Sequence, residues 1–502
     1  MSVSIGVFEK PTIGTYVNHI SECFRASSSD NLINSIPFTS DHPFYRPLAQ
    51  AVIHPPSTSS STSTSTSTST SGNGFAIRAV KNIPDDPINQ SSIAQYLEHL
   101  SSEIKENLSS FIVAVLKNVR GNATESNEEY GDFIRLHQVH IEANKLYGMT
   151  NEYGYIHAFM NPLIVKLAKS LVVKSNRAAS VSNLPLRDPK SSRSIRDTTR
   201  QVIERSMQIS NTTMTESDWN STYNQQHLVG DIVWELGNIL FRIYAERKLH
   251  TQAAELSRSL ESLTPHEQKR FSSRGQIVPA TVICQNYYWR GRIRLILLDF
   301  RTAKYWLDKA WNIVPQNQHS WNQRRAILLR LIPVNLLLGQ VPSQTLLQEY
   351  NLPHFLPLIH AFRTGNIPLW RNTLEGQKEW LRRRSIWLIL YERGEILVWR
   401  NLLRNTLRMY YQLDPTAPKN KCPTWIFISV MHKTFLGSGE VEDGNIELED
   451  IICVISSLID HGLVLGFLSY SHRQLVMKPS PHGFGGFPKI STVEPRKTQA
   501  IA

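Results

Sequence analysis

Along most of this chain apolar residues recur at threes and fours, and only beyond residue 462 does the period change to two. The stretch "SIAQYLEHLSSEIKENLSSFIVAVLKNV" sets the pattern. Ile93, Leu97, Leu100, Ile104, Leu108, Ile112 and Leu116 line up as one stripe of an amphipathic helix. Strand-like alternation is scarce before 463, so the fold is expected to be mostly α. The late switch is the more specific signal. "ELEDIICVISSLIDH" reads as a helix, Gly462 stops it, and "LVLGFLSYSHRQLVMKP" gives two short alternating runs parted by a polar turn, the pattern of a winged helix.

A second pattern lies upstream. In "NYYWRGRIRLILLDFRTAKYWLDKAWNIVP" the order Tyr287, Gly291, Phe300, Ala303, Leu307, Ala310, Pro315 lets two antiparallel helices approach at the small residues. The large residues fill the gap between them, and the proline ends the second helix. The spacing resembles a tetratricopeptide-type hairpin. A looser copy precedes it in "DIVWELGNILFRIYAERKLHTQAAELSRSLESL", with Trp234, Leu236 and Gly237 early and Ala253 and Ala254 later. Two such units side by side predict a short solenoid. "QRRAILLRLIPVNLLLGQVP" follows, apolar nearly all round and so expected to be buried.

Two stretches break the periodicity. "STSSSTSTSTSTSTS" at 57–71 has no apolar side chain to bury and is expected to be disordered. The polar segment 175–222, with scattered arginines, is expected to be a second disordered insert. The predicted organisation is an N-terminal region (1–79), a helical region (80–174), that insert (175–222), helical repeats (223–415), a winged helix (416–480) and a flexible tail (481–502).

The chain has no apolar run near the ~18 residues of a membrane span, and its start lacks a signal-peptide pattern, so an intracellular protein is expected. Cys23, Cys284, Cys422 and Cys453 are too scattered for a disulfide framework or a metal knuckle. No cofactor is expected. His137 and His140 in "HQVH" share a helix face, but no nearby Cys or acid completes a ligand set, and a surface pair is the expected reading. P-loop and HExxH patterns are absent, and "GSGE" at 437–440 lacks a strand–Ser–helix context, so no residues are nominated for catalysis.

"RRAILLRLIPVNLLLGQVP", "EYNLPHFLPLIHAFRTGN", "IWLILYERGEILVWRNLLR" and "LEDIICVISSLIDHGLVLGFLSYSHRQLVMKP", in that order, resemble a PCI domain over about 225–480. This module is shared by the proteasome lid, the signalosome and an initiation factor. Within it these stretches resemble the PCI subunit of the TREX-two mRNA export complex and its sister, the signalosome subunit-twelve-like protein. The two polar inserts depart from the family pattern. The resemblance implies a non-enzymatic nuclear scaffold, with the cytoplasm as a second location. It also implies partners: a second PCI-like subunit, a small acidic peptide subunit, RNA and double-stranded DNA, and no membrane. Membership of a signalosome-associated or splicing-linked complex is the alternative within the family. A site-specific winged-helix DNA-binding regulator is the alternative outside it.

The charge distribution bears on these readings. The net charge is +12, and residues 282–502 hold 27 Lys+Arg against 16 Asp+Glu, so almost the whole surplus is C-terminal. A field of that sign attracts phosphates or acidic proteins alike. The helix over 447–461 carries Glu447, Glu449, Asp450 and Asp460 and no Lys or Arg, which argues against reading a major groove. Its positions Leu448, Ile451, Ile452, Ile455, Leu458 and Ile459 are expected to be core. Positive charge stands instead at Lys419, Lys421 and Lys433 and, on the wing, at His472, Arg473 and Lys478, candidates for phosphate contact. Arg382, Arg383 and Arg384 in "WLRRRSIW" point three ways, so at most two serve one surface. Arg400, Arg404 and Arg408 at intervals of four predict one basic stripe, able to meet an acidic partner or nucleic acid.

Deleting 57–71 should leave stability almost unchanged, because a segment with nothing to bury contributes no packing. The melting temperature should move by less than ~2 °C in a calorimetric comparison with the full chain.

Overall fold

The computed structural model describes residues 13–38, 42–53, 88–124, 129–151, 154–155, 157–181, 194–211, 232–274, 278–418, 420–436, 447–479 and 485–493. The Ser/Thr tract at 57–71 lies outside these. The chain divides into two compact units, residues 1–249 with 259–278, and residues 250–258 with 279–502. No helix among the described residues is long and apolar enough to cross a membrane.

Among its described residues the first unit is helical apart from one minimal hairpin. Its elements are α1 (Ile13–Arg25), α2 (Ser29–Ser35), α3 (Tyr45–Ile53), α4 (Gln90–Gln95), α5 (Ser102–Thr124), α6 (Glu129–Tyr147), β1 (Thr150–Asn151), β2 (Gly154–Tyr155), α7 (Asn161–Val181), α8 (Ile195–Ser210) and α9 (Val233–Glu246). α10 (His250–Arg274) follows, its first nine residues counted with the second unit.

The stripe expected on one helix is divided between α4 and α5. Turns over 96–100 separate them, and the Ser101 carbonyl accepts the first bond of α5, from Lys105 N at 2.9 Å. Serine pairs bond locally and favour helix starts over helix interiors. The buried side survives the break, since Ile93, Leu97, Leu108, Ile112 and Leu116 are all buried.

The segment 175–222 also departs from expectation. α7 continues to Val181, and 195–210 is the helix α8. Ser194 caps it, its hydroxyl accepting from Asp197 N at 3.3 Å. Ile195, Ile203 and Met207 are buried together with Thr198, Thr199, Ser206 and Ser210. These hydroxyls bond carbonyls one turn back, for example Ser210 Oγ to Ser206 O at 2.8 Å, so a polar-looking sequence buries a satisfied face. His140, expected at the surface, is fully buried on α6 with its Nε2 3.0 Å from Ser206 Oγ.

The second unit contains α11 (Ala280–Ile296), α12 (Phe300–Ile313), α13 (Trp321–Leu337), α14 (Gln344–Glu349), α15 (Phe355–Thr364), α16 (Ile367–Gly376), α17 (Lys378–Arg382) and the long α18 (Trp387–Leu413). β3 (Lys421–Pro423), α19 (Trp425–Leu436), α20 (Leu448–Asp460), β4 (Gly466–Ser469) and β5 (Gln474–Met477) complete it.

α11 and α12 form the expected hairpin. A Cβ on Gly291 would fall 2.6 Å from Leu307 Cγ and 3.2 Å from the Ala303 carbonyl, so only glycine permits this approach. The looser upstream copy divides between the units: α9 with Trp234, Leu236 and Gly237 belongs to the first, Ala253 and Ala254 to the second. The expected start of the repeat module at 223 therefore moves. On α13 the apolar run is buried, from Ile327 and Leu328 through Leu336 and Leu337.

β3, β5 and β4 make an antiparallel sheet in that order, and with α19 and α20 they form the winged helix. One hydrophobic core runs from Leu295 and Leu307 through Leu331, Leu358, Trp370 and Leu403 to Ile455, Leu475 and Met477. The repeat helices thus lead without a gap into the wing. Ile451, Ile455 and Leu458 fill it from α20, while Leu448, Ile452 and Ile459 are only partly covered.

The expected flexible tail is corrected at 485–493. Phe487, Ile490 and Val493 pack against this core, and Leu465 N donates to Gly486 O at 2.6 Å. Arg301 Nη2 donates to Val493 O at 2.9 Å, returning the chain to the start of α12. Apolar residues among the glycines and prolines of "GGFPKISTV" supply the anchor.

Burial holds His140 and His157 neutral in the first unit, their pKa values pushed down to about 3 and about 4. For His140 the neighbouring His137 adds to the effect. The unfolded chain then binds more protons below ~6.5, so stability is present above that pH and is lost as pH falls. Each histidine contributes a slope of up to ~1.4 kcal/mol per pH unit. His140→Gln should remove its share of the slope between pH 6 and 4, measured by urea denaturation at a series of pH values.

Candidate nucleic-acid interface

The wing follows from its register. Lys421, Val476 and Phe467 lie directly across from one another on the three strands, as do Cys422, Leu475 and Leu468 one residue along. Successive side chains point to opposite faces, so the Cys422 set faces the core and the Lys421 set faces away. Burial agrees: Cys422 and Leu475 are fully covered, whereas Phe467 is 61% exposed and Lys421 is exposed. Burial pushes the Cys422 thiol up to about 12. Lys478, two residues beyond Val476 on the outward face, is exposed as well.

The turn between β4 and β5 is fixed from both sides. Arg473 N donates to Tyr470 O at 3.2 Å, and Arg473 adopts a left-handed conformation (φ 49°). The Arg473 carbonyl accepts from both Thr424 N and Thr424 Oγ1 at 2.9 Å. Ser469 Oγ and Ser471 Oγ each lie 3.1 Å from His472 Nδ1. His472 and Arg473 are therefore exposed on a braced turn, next to the start of α19 where Trp425 is 62% exposed. Lys433 is exposed on α19 beside a cleft that Thr364, Asn366, Leu369 and Leu402 also line. Lys419 lies outside the described residues.

The structure thus brings Lys421, His472, Arg473 and Lys478 together on one small sheet. Three aromatic residues there were not singled out from sequence: Phe467, Tyr470 and Trp425, each more than 60% exposed. The available signal was an eighteen-residue stretch, 462–479, without a single Asp or Glu and with aromatics beside its basic residues. On α20, Glu447, Glu449, Asp450 and Asp460 are exposed, so the helix that reads grooves in other winged helices presents acid.

The arginines elsewhere behave differently. Arg382 ends α17 and Arg383 follows it, both exposed, with Arg382 4.0 Å from the Glu379 carboxylate one turn back. Arg384 turns inward and stacks on Trp380, its Cζ 3.9 Å from the ring centre, with Nη1 donating to Trp380 O at 2.8 Å. His354 covers the same indole, ring centres 4.3 Å apart. Burial and then the like charges of Arg325, Arg330 and Arg383 hold the Arg384 pKa below its ordinary value. Burial, followed by Arg384 and Arg325, does the same to His354. This corner is a concentration of cations beside a cleft of about 480 Å³ lined by Glu379, Trp380, Arg383 and Arg384.

The expected stripe Arg400–Arg404–Arg408 is corrected at its first member. Arg400 is 4% exposed, donating from Nη2 to Pro488 O at 2.6 Å and from Nε to Leu463 O at 3.3 Å. Burial, and then Arg404, bring its pKa down to about 10. Spacing of four places three residues on nearly one helix face, but α18 rotates enough over that distance to carry Arg404 and Arg408 into solvent. Arg400→Met should destabilise the second unit by about 2–4 kcal/mol, because two buried carbonyls lose their donor at roughly 1–3 kcal/mol each. Arg404→Ala and Arg408→Ala should stay within about 0.5 kcal/mol of the parent. Urea denaturation followed by tryptophan fluorescence separates the two behaviours.

No family profile matches the chain. Among curated proteins it is 32% identical over 207 residues to a PCI domain-containing protein 2 homolog of Drosophila melanogaster, covering 41% of this chain and 46% of that one. It is 29% identical over 211 residues to a PCI domain-containing protein of Schizosaccharomyces pombe, covering 41% and 45%. With PCI domain-containing protein 2 of Xenopus laevis the identity is 29% over 260 residues, covering 51% and 57%. The chain spans about half the length of the curated relatives it matches.

Proposed function

We propose that this chain, a PCI-domain protein, is a non-enzymatic scaffold subunit of a nuclear, transcription-coupled mRNA export complex that binds RNA and double-stranded DNA without reading sequence. The observation that carries the reading is the division of charge on the winged helix. The sheet and its turn offer Lys421, His472, Arg473 and Lys478 with no acid among residues 462–479, while α20 offers acids and no Lys or Arg. Phosphates are attracted to the first surface and repelled by the second, and phosphate contacts carry no base information. The same acidic helix argues against a site-specific regulator.

As a scaffold the protein pairs with a second PCI-like chain and with a small acidic subunit. The cation-rich corner at Trp380, with Arg382 and Arg383 exposed beside it, is the surface in the second unit suited to acidic peptide. Native purification separates the export complex from a signalosome-associated or splicing-linked one by the partners recovered. Absence of both a PCI-like chain and a small acidic chain would overturn the scaffold reading.

Reversing Arg473 and Lys478 to Glu should weaken binding to unrelated sequences alike. Each lost phosphate contact should flatten the dependence of log K on log salt by ~0.7 for single strands and ~0.9 for duplex. Affinity titrations of RNA and duplex DNA at several salt concentrations provide the check, with partner recovery followed in parallel. An unchanged affinity and slope would remove nucleic acid from the function.

A further inference from the structure

We propose that the outer face of the wing sheet is a stacking platform for single-stranded nucleic acid, on which the Phe467 ring takes a base and Lys421 and Lys478 take neighbouring phosphates. The inference rests on the nucleic-acid reading above and deepens it by naming the strand form and the residue that selects it.

The geometry begins with register. Phe467 on β4 faces Val476 on β5, which faces Lys421 on β3, so ring and ammonium stem from one row of one face, two strand spacings or about 10 Å apart. Lys478 is the diagonal neighbour of Phe467 on that same face, at roughly 7–8 Å. Val476, between Phe467 and Lys421, is only partly covered, as is Gln474 beyond it on the same face. Phe467 is thus a large apolar ring with 61% of its surface open, at the edge of a sheet whose inner face is closed by Cys422, Leu475 and Met477. Core packing does not account for it, because the core lies on the opposite side.

What suits this face is decided by its charge and shape. β3, β4, β5, the turn between the last two and Lys478 just past β5 supply Lys421, His472, Arg473 and Lys478 and no carboxylate. A surface with an open ring and cations of one sign matches a ligand that alternates flat apolar groups with anions, which is the chemistry of an unpaired nucleic-acid strand. Every base has a π face, so stacking is tolerant of sequence and compatible with the absence of groove readout. A duplex keeps its bases stacked inside and offers the ring nothing but backbone. The lysines therefore serve both strand forms, and Phe467 serves only the single strand.

This division makes two independent signatures. Removing the ring should change affinity for single strands without changing the salt slope, whereas removing a lysine should change the slope for both forms. Phe467 is exposed, so Phe467→Ala should fold, and Phe467→Trp should keep the stacking surface. The full-length chain is titrated with an oligouridylate, an oligothymidylate and a mixed-sequence DNA duplex across a salt series, with a 2-aminopurine base reporting stacking by its quenching. The expected result is a 5- to 150-fold loss of single-strand affinity for Phe467→Ala. Its slope should be unchanged, its quenching lost and its duplex affinity within about twofold, with Phe467→Trp close to the parent. Equal loss for duplex and single strand, or no loss for either, overturns the platform and leaves the preceding function standing. Loss of a co-purified PCI-like chain with nucleic-acid binding intact also overturns it and assigns the face to protein contact. If the parent chain binds none of the three probes, the nucleic-acid reading itself falls, and the platform with it.

Discussion

A single buried guanidinium ties the second unit together. Arg400 sits in the middle of α18, gives up its hydration, and spends its donors on the carbonyls of Leu463 and Pro488, with the Phe487 ring 5.6 Å from its centre. Those two carbonyls belong to the loop that leads into the wing and to the segment that returns from it. Arginine is suited to the task because its charge is delocalised, weakly hydrated and presented as a rigid fork, so several acceptors can be held at once. A lysine would reach one of them. The consequence is positional: the wing sheet is fixed on the long helix rather than hung from it by a linker, and the surface it offers is preorganised.

Several other arginines are also spent internally, which changes what the C-terminal charge surplus means. Arg290 is fully buried near the Trp306 ring, Arg324 stacks on Trp311 at 3.7 Å and donates to Tyr350 Oη and the Val314 carbonyl, and Arg330 lies beneath Arg384. An aromatic face and carbonyl oxygens surround the Arg324 charge, and a carbonyl accepts from Arg330. A surplus counted from sequence therefore overstates the field at the surface. Exposed cations remain on the wing and at Arg382 and Arg383, with others such as Arg363, Arg393, Arg404 and Arg408 spread along the helices.

Legibility followed how local each determinant is. The hairpin of α11 and α12 was readable because close approach at Gly291 needs small residues at fixed spacing, and the wing strands were readable because a half-buried strand alternates. α8 was not, since its buried face is built largely from Thr198, Thr199, Ser206 and Ser210, whose hydroxyls are satisfied by carbonyls of their own helix. Composition reads such a helix as a loop. Arg400 and Arg404 look alike in sequence, and only the return of residues 485–493 over α18 distinguishes the inner from the outer. Phe467 was hidden for a related reason: an aromatic in an alternating run is ordinarily core, and its outward direction is set by which parity the partner strand covers.

Both sides of α20 are closed to an anionic ligand. The inner side of α20 is consumed by Ile451, Ile455 and Leu458 in a core shared with α18. Its outer side carries exposed acids, starting with Glu447 and Asp450 in a reciprocal capping box that favours negative charge at a helix N-terminus. The acids of the first turn are thus accounted for by helix stability, and together with Asp460 at the other end they close the helix to phosphate. The sheet is left, together with the start of α19 beside it, where Trp425 is exposed. A sheet face has the breadth to support a ring and the row of side chains to flank it, but not the narrow profile that enters a major groove, so the proposed nucleic-acid contacts on this face run to backbone and to unpaired bases rather than to groove edges.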